Sequence, residues 1–158
     1  MKLAYIALGA NLGDPIATIR AALGALANLP ESRVVLSSSL YRTAPVGELE
    51  QPEFINAVAA LETTLAPESL LDGLLDIETR FGRIRAEKNG PRTLDLDLLL
   101  YGNHQLDLPR LTLPHPRLHL RAFVLYPLAE LAPDIHLPGR GTIAAWLPAV
   151  ANQGIIRL

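Results

Sequence analysis

Hydrophobic positions recur along this chain with two different periods, and the switches between them predict its elements. "LAYIALG" (Leu3–Gly9) is a nearly continuous apolar run of strand length. In "DPIATIRAALGALANL", Ile16, Ile19, Leu23 and Leu26 recur at helical spacing behind Asp14 as N-cap and Pro15 at the first helical position. "RVVLSSSLYRT" predicts a second strand, and "APVGELEQPE", with its proline and glycine, a long loop. The period drops to two in "FINAVAALETT", through Ile55, Ala57, Ala59 and Leu61, which predicts a third strand. Pro67 opens a second helix with Leu70, Leu71, Leu74, Leu75, Glu78 and Phe81 along one side. A loop, "GRIRAEKNGPRT", leads into a fourth strand, "LDLDLLLYGN". "LTLPHPRLHL" is extended or irregular, because Pro114 and Pro116 bracket His115. "RAFVLYPLAELAP" predicts a short helix bent or split at Pro127, and "TIAAWLPAVANQ" another short helix.

The order is βαββαβ followed by two short helical pieces. The second and third strands pair antiparallel and the helices cover one sheet face, giving a ferredoxin-like α+β sandwich with a C-terminal extension. At 158 residues with 49% hydrophobic content, the chain is expected to form one domain, residues 1–158. Such a fold hosts many activities, so function has to be read from side chains.

The fourth strand carries the anomaly. Leu94, Leu96 and Leu98 alternate with Asp95 and Asp97, so both carboxylates share one face with Cα atoms about 6.6 Å apart. The same face continues to Leu99 and Tyr101, which are expected to be buried. Paired carboxylates repel and raise a pKa unless a cation compensates. Oxygen-only ligation suits Mg²⁺, which keeps water and takes further oxygens from phosphates. A solvated edge strand is the other reading of a bare D-x-D.

Charge points the same way. From Arg80 to Arg121 there are eight basic residues against four acids, a local balance of about +4 on a chain of net −2. A compact basic zone on an acidic body suits a small polyanion better than long nucleic acid. Arg83, Arg85, Lys88 and Arg92 lie in the glycine-containing loop before the aspartates, where guanidinium groups can grip phosphate oxygens. Three of the four histidines (His104, His115, His119) cluster nearby, and His115 is the best candidate for a phosphate donor. Phe54 and Asn56 share a face at the start of the third strand, where a ring and a carboxamide can stack on and bond a flat heterocycle. No P-loop motif is present, and "GANLGDP" lacks the Rossmann spacing and reads as a strand-to-helix turn. The absence of cysteine excludes disulfides and thiolate metal sites. No apolar run reaches the length of a membrane span, and the first strand begins directly after Met1 and Lys2 without a leader pattern, so a cytoplasmic protein is expected. These residues reach Mg-dependent handling of a phosphate ester by an α+β domain. A nucleotidyltransferase with strand carboxylates fits that description too, whereas an RNA-binding module lacks the basic, aromatic-studded sheet it would need.

The motifs together go further. "YIALGANLGDP", "SSLYRTAPVG", "QPEFINAVAALET", "FGRIR", "GPRTLDLDLLLYG" and "LPHPRLHLRAFVLYPLAELAP" resemble the 6-hydroxymethyl-7,8-dihydropterin pyrophosphokinases of folate biosynthesis, nearly end to end. The resemblance implies transfer of the β,γ-diphosphoryl group of ATP to the pterin hydroxymethyl oxygen, with release of AMP. It implies that Asp95 and Asp97 ligate two Mg²⁺ ions and, with Arg83 and Arg92, form the catalytic set. Glu78, Arg85, Arg92, Leu98, Arg110, Thr112, His115 and Arg121 would then surround ATP. Phe54 and Phe123 would sandwich the pterin, with Asn56 and the chain around Thr43, Ala44 and Val46 reading its edge. Loops 43–52 and 82–92 would close over the substrates. The expected partners are these two small molecules, with no nucleic acid or membrane, and the expected state is monomeric. Four positions depart from common family patterns: Ala10 for serine, Phe54 for tyrosine, Asn89 for a loop tryptophan, and Leu120 for an acid.

Overall fold

The computed structural model describes residues 1–43, 52–82 and 94–158. Its elements are β1 (Lys2–Ala10), α1 (Pro15–Ala27), β2 (Ser32–Ser37), β3 (Tyr41–Thr43), β4 (Phe54–Thr63), α2 (Pro67–Arg80), β5 (Asp95–Tyr101), β6 (Leu106–Leu108), β7 (Leu111–Leu113), α3 (Ala122–Leu131), β8 (His136–Leu137), β9 (Gly141–Thr142) and β10 (Ile155–Arg157). The main sheet runs β10-β3-β4-β1-β5, with β2 also on β4, and its pairings are antiparallel. β5-β1-β4 followed by β2 and β3 is the ferredoxin-like order expected from βαββαβ.

The single second strand of the sequence reading is divided into β2 and β3. The break lies at Ser38, whose N–H donates to the Val58 carbonyl at 2.8 Å while its Oγ accepts from the Val58 N–H at 2.9 Å. The hydroxyl thus replaces a backbone acceptor in the ladder, as serine side chains readily do. α1 starts as expected, with Pro15 at the first position and Asp14 Oδ1 accepting from Ala17 N–H at 3.2 Å. Pro127 lies inside α3 without splitting it, and residues 142–153 form two 3₁₀ turns instead of one short helix. The short strands β6 to β10 carried too few residues to show a period.

Two apolar layers clasp the sheet. Ala4, Ile6, Leu8, Ala57, Ala59 and Leu61 face α1 and α2, where Ile19, Leu26, Leu70, Leu74 and Ile77 cover them. Tyr5, Ala7, Val58 and Ala60 face the other way, under Val124, Leu125 and Leu128 of α3. Helices therefore pack on both faces, because α3 belongs to the extension that follows the βαββαβ unit.

A β-bulge in β5 decides which side chains face which layer. Tyr5 pairs with Leu100 and Ile6 with Leu98, leaving Leu99 as the extra residue. Leu99 and Leu100 both enter the α3 layer, and Tyr101 returns to the α1–α2 layer. Tyr101 consequently does not share the aspartate face, contrary to strict alternation. It is buried, as expected, and donates its hydroxyl proton to the Leu65 carbonyl.

Candidate active site

Each central strand changes character along the α3 face. Tyr5 and Ala7 of β1 lie in the apolar layer and Gly9 lies beyond it; Ala60 and Val58 of β4 give way to Asn56 and Phe54. In β5, Leu99 gives way to Asp97 and Asp95, both half-buried. The register sets Gly9 opposite Asn56 on one side and opposite Asp95 on the other. A glycine of the middle strand thus separates the carboxamide from the carboxylates.

That glycine is required by close approach. A Cβ at Gly9 would lie 2.9 Å from Asn56 Oδ1, inside van der Waals contact. Asn56 is only 5% exposed and donates from Nδ2 to Thr43 Oγ1 at 2.7 Å, so its carboxamide is fixed. Sequence reasoning placed Gly9 at the end of a strand without assigning it this role. It also missed Asn11, which is 2% exposed and donates from Nδ2 to the Pro52 carbonyl at 3.0 Å, tying the end of β1 to the approach to β4.

Beside the aspartates opens a cleft of about 320 Å³. Asp97, Leu98, Arg110, Thr112 and His115 all line it, together with Leu71 and Leu96. Five positions assigned to the nucleotide and metal on sequence grounds are therefore neighbours in space. Arg110 sits at the turn of the β6–β7 hairpin and pairs with Asp72 of α2. Thr112 is on β7, and His115 follows the cis Leu113–Pro114 bond. The backbone N–H of His115 donates to the carbonyl of the bulged Leu99 at 2.9 Å, so the irregularity in β5 also anchors the histidine.

Burial, with Arg121 and Arg117 as positive neighbours, pushes His115 down to about 4, against a smaller upward pull from Asp95. The ring is neutral at pH 7. Its Nδ1 accepts from the Arg117 N–H at 3.2 Å, which leaves the ring proton on Nε2. The other clustered histidines do different things. His104 packs on Tyr101, with ring centroids 5.0 Å apart, and His119 is buried edge-on to Trp146 at 4.8 Å.

Glu78 is 3% exposed on the inner side of α2, and its Oε2 accepts from the Leu96 N–H at 2.7 Å. This satisfies the outward backbone donor of an edge strand between the two aspartates and holds both carboxylates from behind. At the start of α3, the Arg121 guanidinium carbon lies 5.3 Å from the centroid of the Phe123 ring, a cation–π contact. Arg83, Arg85, Arg92, Ala44 and Val46 fall outside the described residues, as do most of the two loops expected to close.

Among the described residues no group of three or more histidine, aspartate or glutamate side chains could enclose a metal ion. Two carboxylates beside an open cleft nevertheless fit Mg²⁺, which commonly binds through one or two carboxylates with water and substrate phosphate completing its shell. No helix among the described residues is long and apolar enough to cross a membrane.

Comparison with known proteins matches the chain to one family. The profile described as 7,8-dihydro-6-hydroxymethylpterin-pyrophosphokinase (HPPK) covers residues 5–133. The chain is 54% identical over 154 residues to the 2-amino-4-hydroxy-6-hydroxymethyldihydropteridine pyrophosphokinase of Pseudomonas aeruginosa, covering 98% of this chain and 95% of that one. Identity to the enzyme of the same name from Haemophilus influenzae is 46% over 158 residues, covering 100% and 99%. Folic acid synthesis protein fol1 of Schizosaccharomyces pombe is 41% identical over 155 residues, which are 98% of this chain but 21% of that protein. A crystal structure of Plasmodium falciparum HPPK-DHPS with pteroate has the same fold, with TM-score 0.74 at 14% identity over 93% of this chain and 42% of that one. By profile and by near full-length identity, this chain belongs to the 7,8-dihydro-6-hydroxymethylpterin-pyrophosphokinase family.

Proposed function

We propose that the cleft beside Asp97 takes the triphosphate of ATP, and that the Gly9–Asn56–Thr43 floor takes the reduced pterin. The two meet at the carboxylates of Asp95 and Asp97, where the family's pyrophosphoryl transfer occurs. The observation that carries this reading is the gathering of Asp97, Leu98, Arg110, Thr112 and His115 around one cleft, from separate strands and a hairpin.

The reaction forms a bond between the pterin hydroxymethyl oxygen and the β-phosphorus of ATP and breaks the bond to the oxygen that leaves with AMP. Such a transfer needs alignment and charge neutralisation more than a strong protein base. Asp95 and Asp97 would hold Mg²⁺, which when bound supplies positive charge on the phosphate oxygens and favours deprotonation of the alcohol. His115 donates its Nε2 proton in a hydrogen bond to a phosphate oxygen, and its neutrality avoids competition with the cations. Arg110 and Arg121, with Arg83, Arg85 and Arg92 of the preceding loop, balance the phosphate charge. Leu98 and Thr112 shape the nucleotide side. Asn56 bonds the pterin edge, helped by the chain around Thr43, Ala44 and Val46, while Phe54 and Phe123 stack on its faces. Glu78 acts behind the strand, keeping the two carboxylates in register. The proton of the hydroxymethyl group passes to solvent without a side-chain base.

We read residues 1–158 as one domain, monomeric and cytoplasmic, with ATP and the pterin as its small-molecule partners. Incubation with ATP, Mg²⁺ and 6-hydroxymethyl-7,8-dihydropterin is the direct test. AMP and the pterin diphosphate are the expected products, formed only with the metal. ADP or free pyrophosphate as the nucleotide-derived product, or equal rates in excess chelator, would overturn the reading.

A further inference from the structure

Residues 134–158 lie beyond the stretch matched by the family profile, yet they reach back to the site. The Gln153 side chain does so with both ends of its carboxamide. Its Oε1 accepts from the Ala122 N–H at 2.8 Å, and its Nε2 donates to the Leu120 carbonyl at 3.0 Å. These two peptide groups stand on either side of Arg121. α3 has no side-chain cap from its own N-cap residue, Arg121, so the Ala122 N–H, an otherwise unpaired donor of the first turn, is satisfied from 31 residues away.

The chain that follows is anchored across the sheet. After Gly154 in the left-handed region at φ +70°, β10 pairs with β3, setting Ile155 opposite Thr43. Arg157 lies 3.6 Å from Glu130, and the Leu158 N–H donates to the Leu40 carbonyl at 2.9 Å. Residues 153–158 therefore connect the strand that carries Thr43 with the helix start that carries Arg121 and Phe123.

We propose that Gln153 is a positioning residue for the junction of the two substrates: by bracketing the peptide groups around Arg121 it sets the stacked Arg121–Phe123 pair against the strand floor. This rests on the reading of Arg121 and Phe123 as substrate-facing. A carboxamide suits the task because it offers one acceptor and one donor to one N–H and one carbonyl. Glutamate keeps only the acceptor, and methionine keeps the length without either. Gln153 is itself exposed, so its replacement opens no cavity.

The test is a mutant cycle read in steady-state kinetics, with thermal unfolding alongside. Gln153→Met should lower kcat/KM for the pterin about tenfold with little change in unfolding temperature, and Gln153→Glu should fall between it and the parent. In an Arg121→Ala/Phe123→Ala background, Gln153→Met should change the residual rate by less than about twofold. Parental kinetics for Gln153→Met, or an equal loss in both backgrounds, would overturn the positioning role while leaving the site reading intact. Parental activity of Arg121→Ala/Phe123→Ala would instead overturn the substrate-facing reading, and this inference with it.

Discussion

At Asp97 the case for chemistry over packing can be measured directly. The side chain is half-buried at the mouth of the cleft rather than in either apolar layer. Asp97→Ala should therefore cut turnover by about 10²–10³-fold, within the range seen when charge-stabilising groups are lost, while the far-UV spectrum and unfolding transition stay parental. Gly9 is the steric counterpart. Gly9→Ala would press a methyl group against Asn56 Oδ1, and about a tenfold rise in KM for the pterin is expected, with KM for ATP within about twofold of parental. His115 gives a pH test. Its pKa is lower in the folded protein, about 4, than in the unfolded chain, so below about 6.5 the unfolded state binds the additional proton and stability falls with acidification. Between pH 7 and pH 5 the His115 share of this loss is about 2 kcal/mol. Urea unfolding of His115→Gln should lack that share. Bound triphosphate should raise the His115 pKa, visible as a shifted imidazole titration by NMR.

Among the elements, α3 covers the second face of the sheet and carries Phe123 near its start without belonging to the βαββαβ unit. Its far end is moored by Glu130, which accepts from the Tyr41 hydroxyl at 2.7 Å, from Ser39 N–H at 2.9 Å and from Ser39 Oγ at 3.1 Å. Burial works against the Glu130 charge, yet the bonds from Tyr41 and Ser39, with Arg157 nearby, outweigh it and hold the carboxyl below its ordinary range. Burial, with the bond to Glu130, pushes Tyr41 up to about 12. Removing Glu130 strands the Ser39 N–H beside β3, so Glu130→Ala should cost about 1–3 kcal/mol in urea unfolding. Because the folded pKa of Glu130 is depressed, its contribution is present above the unfolded value and is lost as pH falls through the folded one. The bulge in β5 is the other decisive element. It is invisible to an alternation count, and for that reason Tyr101 was expected on the wrong face, whereas Leu99 was expected correctly.

For the molecule as a whole, the uneven charge becomes a ligand-linked stability. In sequence, the basic residues of the 80–121 segment lie on both sides of Asp95 and Asp97, so ATP and Mg²⁺ should bind in mutual dependence. A non-hydrolysable ATP analogue at about 100 times its Kd should stabilise the fold by about 2.7 kcal/mol in excess Mg²⁺, and by far less in excess chelator. Equal shifts with and without the metal, in thermal unfolding, would count against Asp95 and Asp97 as its ligands. The same sample should elute in light scattering as a single chain of 17.1 kDa.

Period and punctuation in the sequence alone determined the βαββαβ order, the two long helices, and the sharing of one strand face by Asp95 and Asp97, since these depend on neighbours a few residues apart. The bracketing prolines marked His115 and the shared strand face marked Asn56, whereas Arg110 was marked only by the family resemblance. Tertiary structure decided what adjacency in the chain does not encode. Strand register set Gly9 between Asn56 and Asp95, and the bulge at Leu99 fixed where His115 stands. Folding brought Glu78 to the Leu96 N–H across 18 positions and Gln153 to both flanks of Arg121 across more than 30. Contacts of that range arise only when separate elements pack, because each is satisfied by a backbone group that its own segment leaves unpaired.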